Sequence, residues 1–267
     1  MDRWPVPTVA AAVVGPDGVL AGHGPTGRVF RLASVTKPLV TVAVLVAVEE
    51  GAVELDDPAG PPGATLRHLL AHTSGLAFDG APAPRRVLTQ PGGTRIYSNA
   101  GFEVLGEHVE AATGIAFGEY VAQAVCQPLG LRDTVLAGSP AHAATSTVDD
   151  LAVLARELLA PTLLHASTLA EATRVQFPGL AGVVPGFGRQ DPCDWGLGFE
   201  LRGGKAPHWT GRRNSPGTFG HFGRAGTFLW VDPAARLATI ALTDRDFGPW
   251  AASAWPAFSD AVLIAAG

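Results

Sequence analysis

Charged side chains and cysteines are scarce in this sequence, and each shortage excludes a class of protein. Only 16% of the 267 residues are charged and the net charge is −5, so there is no basic patch of the kind that binds nucleic acid. Cys126 and Cys193 match neither a disulfide framework nor a C-x-x-C site. No apolar run is long enough to span a membrane, and the first residues lack an export-signal pattern. We therefore expect a cytoplasmic protein.

Common cofactor and catalytic motifs are missing as well. No G-x-G-x-x-G or Walker pattern stands between a strand and a helix. No G-x-S-x-G elbow surrounds a serine, which argues against an α/β-hydrolase. His68 and His72 have the i, i+4 spacing of a zinc pair, but the glutamate of an H-E-x-x-H motif does not lie between them. The sequence therefore predicts neither a metal ion nor a cofactor.

Strand-like segments lie at both ends of the chain, with helix-like segments between them. Hydrophobic residues make up 47% of the sequence, which is ample for a core. The patterns predict helices over 35–50, 65–71, 99–112, 117–127, 147–159, 168–175 and 250–266, and strands over 8–14, 19–22, 196–201, 206–210, 226–231 and 237–243. This order favours an α/β (α+β) fold, with an antiparallel sheet from both termini flanked by helices. We expect a sheet domain of residues 1–60 and 176–267, and a reduced, mostly helical lobe of residues 61–175.

Lysine is also scarce, which gives weight to the positions where it occurs. Only two of the 19 cationic side chains are lysines, and one of them, Lys37, follows Ser34 by three residues. A partly buried lysine can lose its proton near neutral pH, whereas an arginine cannot. Residues three apart share a helical face, so this pair has the arrangement of a nucleophile and its base. Because S-x-x-K also occurs by chance, the assignment depends on the accompanying motifs.

Three further segments accompany this pair in a consistent order. FRLASVTK at 30–37 is followed by HTSGL at 72–76, YSN at 97–99 and GHFG at 220–223. Together they resemble the serine β-lactamase-like, penicillin-recognising serine hydrolases, in the class C and esterase branch of that family. The resemblance runs from about residue 8 to the C-terminus. It implies a β-lactamase/transpeptidase-like fold and catalysis without a cofactor.

The resemblance implies catalytic roles for three residues. Ser34 would be the nucleophile and Lys37 its base, provided that burial lowers the lysine pKa. Tyr97 would relay the proton as a phenolate beside the ammonium group. Asn99 would hydrogen-bond Lys37 and the acyl substrate, although it could also cap the helix that follows.

The GHFG segment is expected to lie on a sheet strand that lines the site. His221 would take the place of a lysine or histidine of the family, and Phe222 would follow it. Gly223 would allow the substrate to approach the strand backbone closely. The backbone N–H groups of Arg224 and Ser34 would form an oxyanion hole.

Phe222 departs from the family pattern, where a hydroxyl residue is common in enzymes that hold a substrate carboxylate. Phenylalanine cannot donate that hydrogen bond, and His221 is a weaker cation than lysine near neutral pH. Both features favour a less polar acyl substrate, such as an ester. Arg212, Arg213 or Arg224 could supply a replacement cation, so the preference stays open.

These residues predict a serine hydrolase that forms an acyl-enzyme on Ser34, most simply a carboxylesterase acting on small acyl esters. A β-lactamase, a D-amino-acid peptidase or an acyltransferase are the alternatives. A non-catalytic binding protein on the same fold is disfavoured by the complete set of Ser34, Lys37 and Tyr97. The expected partner is a small-molecule acyl substrate, with neither nucleic acid nor a membrane involved.

Overall fold

The computed structural model describes residues 1, 3–79 and 85–266. The strands are β1 (Val9–Gly15), β2 (Gly18–His23), β3 (Phe30–Arg31), β4 (Val135–Leu136), β5 (Ala144–Ser146), β6 (Gly182–Val184), β7 (Gly188–Gln190), β8 (Glu200–Leu201), β9 (Phe219–Gly223), β10 (Thr227–Asp232) and β11 (Leu237–Thr243). The helices are α1 (Thr36–Glu49), α2 (Leu66–Leu70), α3 (Asn99–Thr113), α4 (Phe117–Val121), α5 (Gln127–Leu129), α6 (Val148–Leu159), α7 (Ala166–Ala172) and α8 (Pro249–Ala266). Within these ranges, no helix combines the length and apolarity needed to cross a membrane.

The main sheet confirms the predicted fold class. Across the described part of the chain, six strands pair antiparallel in the order β2-β1-β11-β10-β9-β8. The N-terminal strand β1 lies beside the C-terminal strand β11, from the pair Val9 and Thr243 to the pair Val14 and Ala238. Both chain ends therefore contribute to one sheet, as their strand-like patterns predict.

The sheet is covered on both faces. Phe228 of β10 packs with Trp255 of α8 in one apolar cluster. The next residue, Leu229, belongs to a second cluster that includes Leu39 of α1 and Leu154 of α6, because successive strand residues point to opposite faces. Helix α1 is buried on nearly all sides, which explains why its sequence is apolar without a polar stripe.

Helix ends agree closely with the sequence where capping residues are present. Thr147 caps α6, since its side chain accepts a hydrogen bond from the Asp150 N–H at 3.1 Å. Helix α3 is capped by Ser98, which accepts from the Gly101 N–H at 3.0 Å. Asn99 is therefore the first helical residue rather than the cap, and its side chain is available for other contacts.

Two predicted helices have different bounds in the structure. The segment predicted as one helix over 117–127 is divided by a π-helical turn, Ala122–Cys126, that separates α4 from α5. The helix predicted over 168–175 is α7, Ala166–Ala172, which begins after His165. The His165 ring accepts from the Ser167 N–H, so this histidine serves as a cap that the sequence pattern did not indicate.

The strand predicted over 196–201 is largely wrong, because only its last two residues pair in the sheet as β8. Gly198 has φ +72°, and a Cβ there would lie 1.7 Å from the Thr41 Oγ1. The Gly198 N–H donates to the Leu70 carbonyl at 3.0 Å. Close packing against α1 and α2 therefore holds this apolar segment out of the sheet.

The strand predicted over 206–210 is wrong. The segment has no strand assignment, and its apolar and polar side chains instead surround a buried carboxylate. His208 and Trp209 both hydrogen-bond Glu200. Pro207 also lacks the N–H that a strand ladder would use.

Candidate active site

Ser34 lies in a one-turn 3-10 helix, Ala33–Val35, directly before α1. Ala33 has φ +48°, a left-handed conformation that is uncommon for a residue with a side chain and is found at functional sites. The turn is tied to the sheet, because the Thr227 hydroxyl donates to the Leu32 carbonyl at 2.7 Å. This tie fixes Ser34 against the adjoining ends of β9 and β10.

Gly223 allows the turn that carries Ser34 to lie close to strand β9. A Cβ at this position would lie 2.4 Å from the Leu32 carbonyl oxygen and 3.1 Å from the Ala33 Cβ. The sequence suggested that glycine makes room for substrate. The structure shows that the serine turn itself fills the space beside Gly223, so a larger residue would push Ser34 away from the strand.

Lys37 is 0% exposed and is surrounded by oxygen atoms. Its Nζ lies 2.8 Å from the Asn99 Oδ1 and 2.9 Å from the Ala141 carbonyl oxygen. Both of these oxygens can only accept, so each takes a hydrogen from the Lys37 amine. The side of Nζ that they leave free faces Tyr97, whose hydroxyl lies 2.7 Å away. The Asn99 amide is oriented in turn by its hydrogen bond to Asp79.

Tyr97 bridges the serine and the lysine. Its hydroxyl oxygen lies 2.7 Å from the Ser34 Oγ and 2.7 Å from the Lys37 Nζ. The direct distance from Nζ to the Ser34 Oγ is 3.4 Å, which is longer than a typical hydrogen bond. The shortest proton path from serine to amine therefore runs through the phenol.

Burial decides the protonation states of this group. Loss of hydration lowers the pKa of Lys37 well below its ordinary value, although Asp79 and Glu103 oppose the change. Burial raises the pKa of Tyr97 above its ordinary value. Both shifts have the same main cause: burial penalises the charged form of each group, and so favours an amine and a phenol over an ammonium and a phenolate.

His221 lies on β9 with its ring 5.6 Å from the ring of Tyr97. It is buried, and burial lowers its pKa to about 3. Its Nδ1 is 2.7 Å from the Phe222 carbonyl oxygen. His221 is therefore uncharged at neutral pH and does not replace the lysine cation of related sites.

Phe222 points mainly to the other side of the sheet. Its ring lies 5.1 Å from that of Phe247 and 6.0 Å from that of Trp255, in the cluster beneath α8. It also lines the cavity at Ser34. The residue that departs from the family pattern is thus a core residue and a cavity wall at once.

Two cavities meet at Ser34. The first, here called the aromatic cavity, measures about 290 Å³. The second, the polar cavity, measures about 430 Å³. Arg224 lines both of them, whereas Arg212 and Arg213 line neither. The aromatic cavity is walled by Phe78, Tyr97, Trp195, Phe222 and Phe247, and the polar cavity by Arg31, Asp79, Asn99, His142 and Asp246.

A buried ionic group forms part of the aromatic cavity wall, and the sequence analysis missed it. The Glu200 carboxylate lies 3.3 Å from the Nζ of Lys205, the second lysine of the chain. It also accepts hydrogen bonds from His208 at 3.1 Å and from the Trp209 indole at 2.9 Å. The scarcity of lysine, which drew attention to Lys37, was the available signal for Lys205.

Among the described residues, no group of three or more histidine, cysteine, aspartate or glutamate side chains is arranged to hold a metal ion. His68 and His72 point to different partners. The His68 Nδ1 lies 2.9 Å from the Thr65 hydroxyl. The His72 Nδ1 accepts from the Ser98 N–H at 3.1 Å, and its ring centre lies 4.7 Å from that of Tyr97.

Three buried histidines predict that the fold is sensitive to acid. Burial lowers the pKa of His72, His208 and His221, so each binds a proton less readily in the folded protein than in the unfolded chain, which gains protons below about pH 6.5. Their contribution to stability is therefore present above about pH 6.5 and lost as the pH falls. For His221, with a pKa of about 3, the loss at pH 5 is about 2 kcal/mol.

We expect the urea midpoint of unfolding to fall between about pH 7.5 and about pH 5. The His221→Gln variant lacks one of the titrating groups and should show a smaller decrease over the same interval. A wild-type midpoint that stays constant would contradict the neutral, buried state of these histidines.

Comparison with known proteins places this geometry in a family. The sequence model of the β-lactamase family matches residues 1–262. A crystal structure of a β-lactamase from Mycobacterium bovis is 60% identical, with a TM-score of 0.97 over 99% of this chain and 97% of that chain.

Two curated relatives match over shorter regions. Esterase EstB of Burkholderia gladioli is 36% identical over 147 residues, which is 39% of this chain and 37% of the esterase. The D-alanyl-D-alanine-carboxypeptidase/endopeptidase AmpH of Escherichia coli (strain K12) is 29% identical over 145 residues, or 42% of this chain and 38% of AmpH. The matches thus span less than two thirds of either relative. Over nearly its whole length, however, the chain belongs to the β-lactamase family.

Proposed function

We propose that the protein is a carboxylesterase that hydrolyses small acyl esters through an acyl-enzyme on Ser34. The observation that carries this proposal is the continuous contact from Ser34 through Tyr97 to Lys37, at the mouth of an aromatic cavity. A serine hydroxyl becomes a competent nucleophile when a neighbouring base accepts its proton. The buried Lys37 amine is such a base once it is unprotonated, and burial favours that form by lowering its pKa. The cavity beside it suits an apolar acyl group.

The acylation step follows from these contacts. The Ser34 Oγ attacks the ester carbonyl carbon as its proton passes to the Tyr97 oxygen and the phenol proton passes to the Lys37 Nζ. The backbone N–H groups of Ser34 and Arg224 stabilise the oxyanion. The new ammonium group is held by Asn99 and by the Ala141 carbonyl.

The attack gives a tetrahedral intermediate, and its breakdown transfers the proton from Lys37, through Tyr97, to the leaving alcohol. The alcohol leaves as Tyr97 donates a proton to its oxygen, and Lys37 gives its extra proton back to Tyr97. Water then attacks the acyl-enzyme, with Tyr97 and Lys37 accepting its proton by the same path. The carboxylic acid departs as Ser34 regains its hydrogen, so the site returns to its starting state.

The neighbourhood of β9 supports an ester over a substrate with a carboxylate. His221 is neutral, and Phe222 has no hydrogen to donate. A missing hydrogen bond to a charged group costs about 1.5–3 kcal/mol, or roughly 10- to 150-fold in rate. These two residues therefore disfavour β-lactams and peptides that end in a carboxylate.

A second candidate function is a β-lactamase or D-amino-acid peptidase. Arg31 and Arg224 line the polar cavity next to Ser34, and a guanidinium group there could bind a substrate carboxylate. The Mycobacterium bovis relative is described as a β-lactamase. The same cavity could also hold an alcohol acceptor, which would make the protein an acyltransferase using the same acyl-enzyme.

Rates with two chromogenic substrates distinguish these functions. We expect kcat/KM for p-nitrophenyl butyrate to exceed that for a chromogenic cephalosporin by roughly 10-fold or more. Intact mass should show an acyl adduct that is missing in the Ser34→Ala variant. Faster hydrolysis of the cephalosporin would replace the esterase proposal with the β-lactamase. Fluorophosphonate labelling of Ser34 without turnover of either substrate would favour the acyltransferase.

A further inference from the structure

His221 lines the aromatic cavity, and one nitrogen of its buried ring has no hydrogen-bond partner among the described residues. This nitrogen is the His221 Nε2, and it is buried. His221 itself is 3% exposed and lines the cavity together with Ser34. An unpaired buried polar group costs free energy, so it marks a position where a ligand group could be recognised.

Two other buried polar side chains of the cavity wall, Tyr97 and Glu200, already have partners. The Tyr97 hydroxyl contacts both Ser34 and Lys37. The Glu200 carboxylate is bonded by Lys205, His208 and Trp209. Of Tyr97, Glu200 and His221, only His221 has a side-chain atom that could still form a hydrogen bond with a ligand without displacing a partner.

The hydrogen-bonding character of the free nitrogen follows from its neighbour. The His221 Nδ1 lies 2.7 Å from the Phe222 carbonyl oxygen, and a carbonyl can only accept, so Nδ1 carries the hydrogen. A neutral imidazole has one N–H, which leaves a lone pair on Nε2. The free atom is thus an acceptor and selects a ligand group that donates a hydrogen.

The walls define the rest of the ligand. Phe78, Trp195, Phe222 and Phe247 present aromatic rings to the cavity, which favours a carbon chain over a charged group. The Glu200 charge is already paired with Lys205, so this carboxylate does not favour a cationic ligand. A neutral hydroxyl on an otherwise apolar chain satisfies both the rings and the free nitrogen.

We propose that the acyl group accepted by this site is a hydroxyacyl group whose hydroxyl donates to the His221 Nε2. This inference rests on the proposed function, because it describes the acyl half of an ester that acylates Ser34. His221 is then a specificity-determining residue rather than a carrier of the reacting proton.

Matched esters test the inference in the wild-type protein. The panel comprises p-nitrophenyl butyrate and its 2- and 3-hydroxy and methoxy derivatives, since a methoxy group matches the polarity but cannot donate. We expect at least one hydroxy ester to have kcat/KM about 10-fold or more above its methoxy partner and above butyrate. Equal values across the panel would overturn the inference while leaving the esterase intact. No turnover of any ester would instead contradict the proposed function.

Two substitutions at His221 locate the contact. In His221→Gln, the side-chain oxygen can accept near the position of Nε2, whereas His221→Phe retains a ring of similar size without an acceptor. The preference for the hydroxy ester over its methoxy partner should persist in part in His221→Gln and disappear in His221→Phe. A preference that survives in His221→Phe would assign the hydroxyl to another residue. The wild-type comparison decides the outcome even if neither variant folds.

Discussion

Ser34→Ala abolishes turnover of p-nitrophenyl butyrate and removes labelling by a fluorophosphonate. The expected loss in kcat is roughly 10³-fold or more, because the acyl-enzyme cannot form without the hydroxyl. Ser34 is the serine that both contacts the Tyr97 hydroxyl at 2.7 Å and lines the two cavities. Kinetics and peptide mapping of the labelled protein give the measurement.

The exposed Ser167→Ala variant is the matched control, since Ser167 lies on α7 and lines neither cavity. It should retain both labelling and turnover. Label on a serine other than Ser34, or wild-type turnover by Ser34→Ala, would show that the nucleophile has been assigned to the wrong residue.

Lys37→Arg and Lys37→Met each lower kcat by at least about 100-fold, the lower range for loss of a general base. Arginine keeps the charge but cannot accept a proton near neutral pH. Methionine preserves much of the volume of this fully buried side chain but has no amine. Both changes therefore stop the proton transfer that begins at Ser34 and passes through Tyr97.

The pH profile separates a base from a structural role. In the wild type, acylation should rise with pH as Lys37 loses its proton, at a pH below the ordinary lysine value because burial lowers its pKa. This rise should be missing from the residual activity of Lys37→Met. A Lys37→Arg variant with near wild-type kcat would mean that Lys37 is only a structural cation. Melting temperatures of all variants establish that they are folded.

The sequence alone determined the elements whose signals are local. The apolar run of α1, the Thr147 cap and the turn glycines lie within a few residues of the structure they specify, so the helix and strand patterns recovered most of them. The pairing of Ser34 with Lys37 is of the same kind, because three residues along a helix bring side chains to one face. The four motifs also sufficed to indicate the family.

Tertiary structure alone decided the chemistry of the site. Tyr97 is 63 residues from Ser34 in sequence, and its 2.7 Å contact with the serine depends on packing that no local pattern encodes. The lowered pKa of Lys37, the raised pKa of Tyr97 and the neutral state of His221 follow from burial, which is a property of the assembled core.

Long-range packing also explains the failed strand predictions. The segment at 196–201 has the composition of a strand, but Gly198 is pressed against Thr41 of α1 and most of the segment leaves the sheet. The segment at 206–210 instead surrounds the Glu200 carboxylate with His208 and Trp209. In both places, contacts between distant parts of the chain outweigh the local preference for a strand, because strand propensity depends on which neighbours are present to pair and pack.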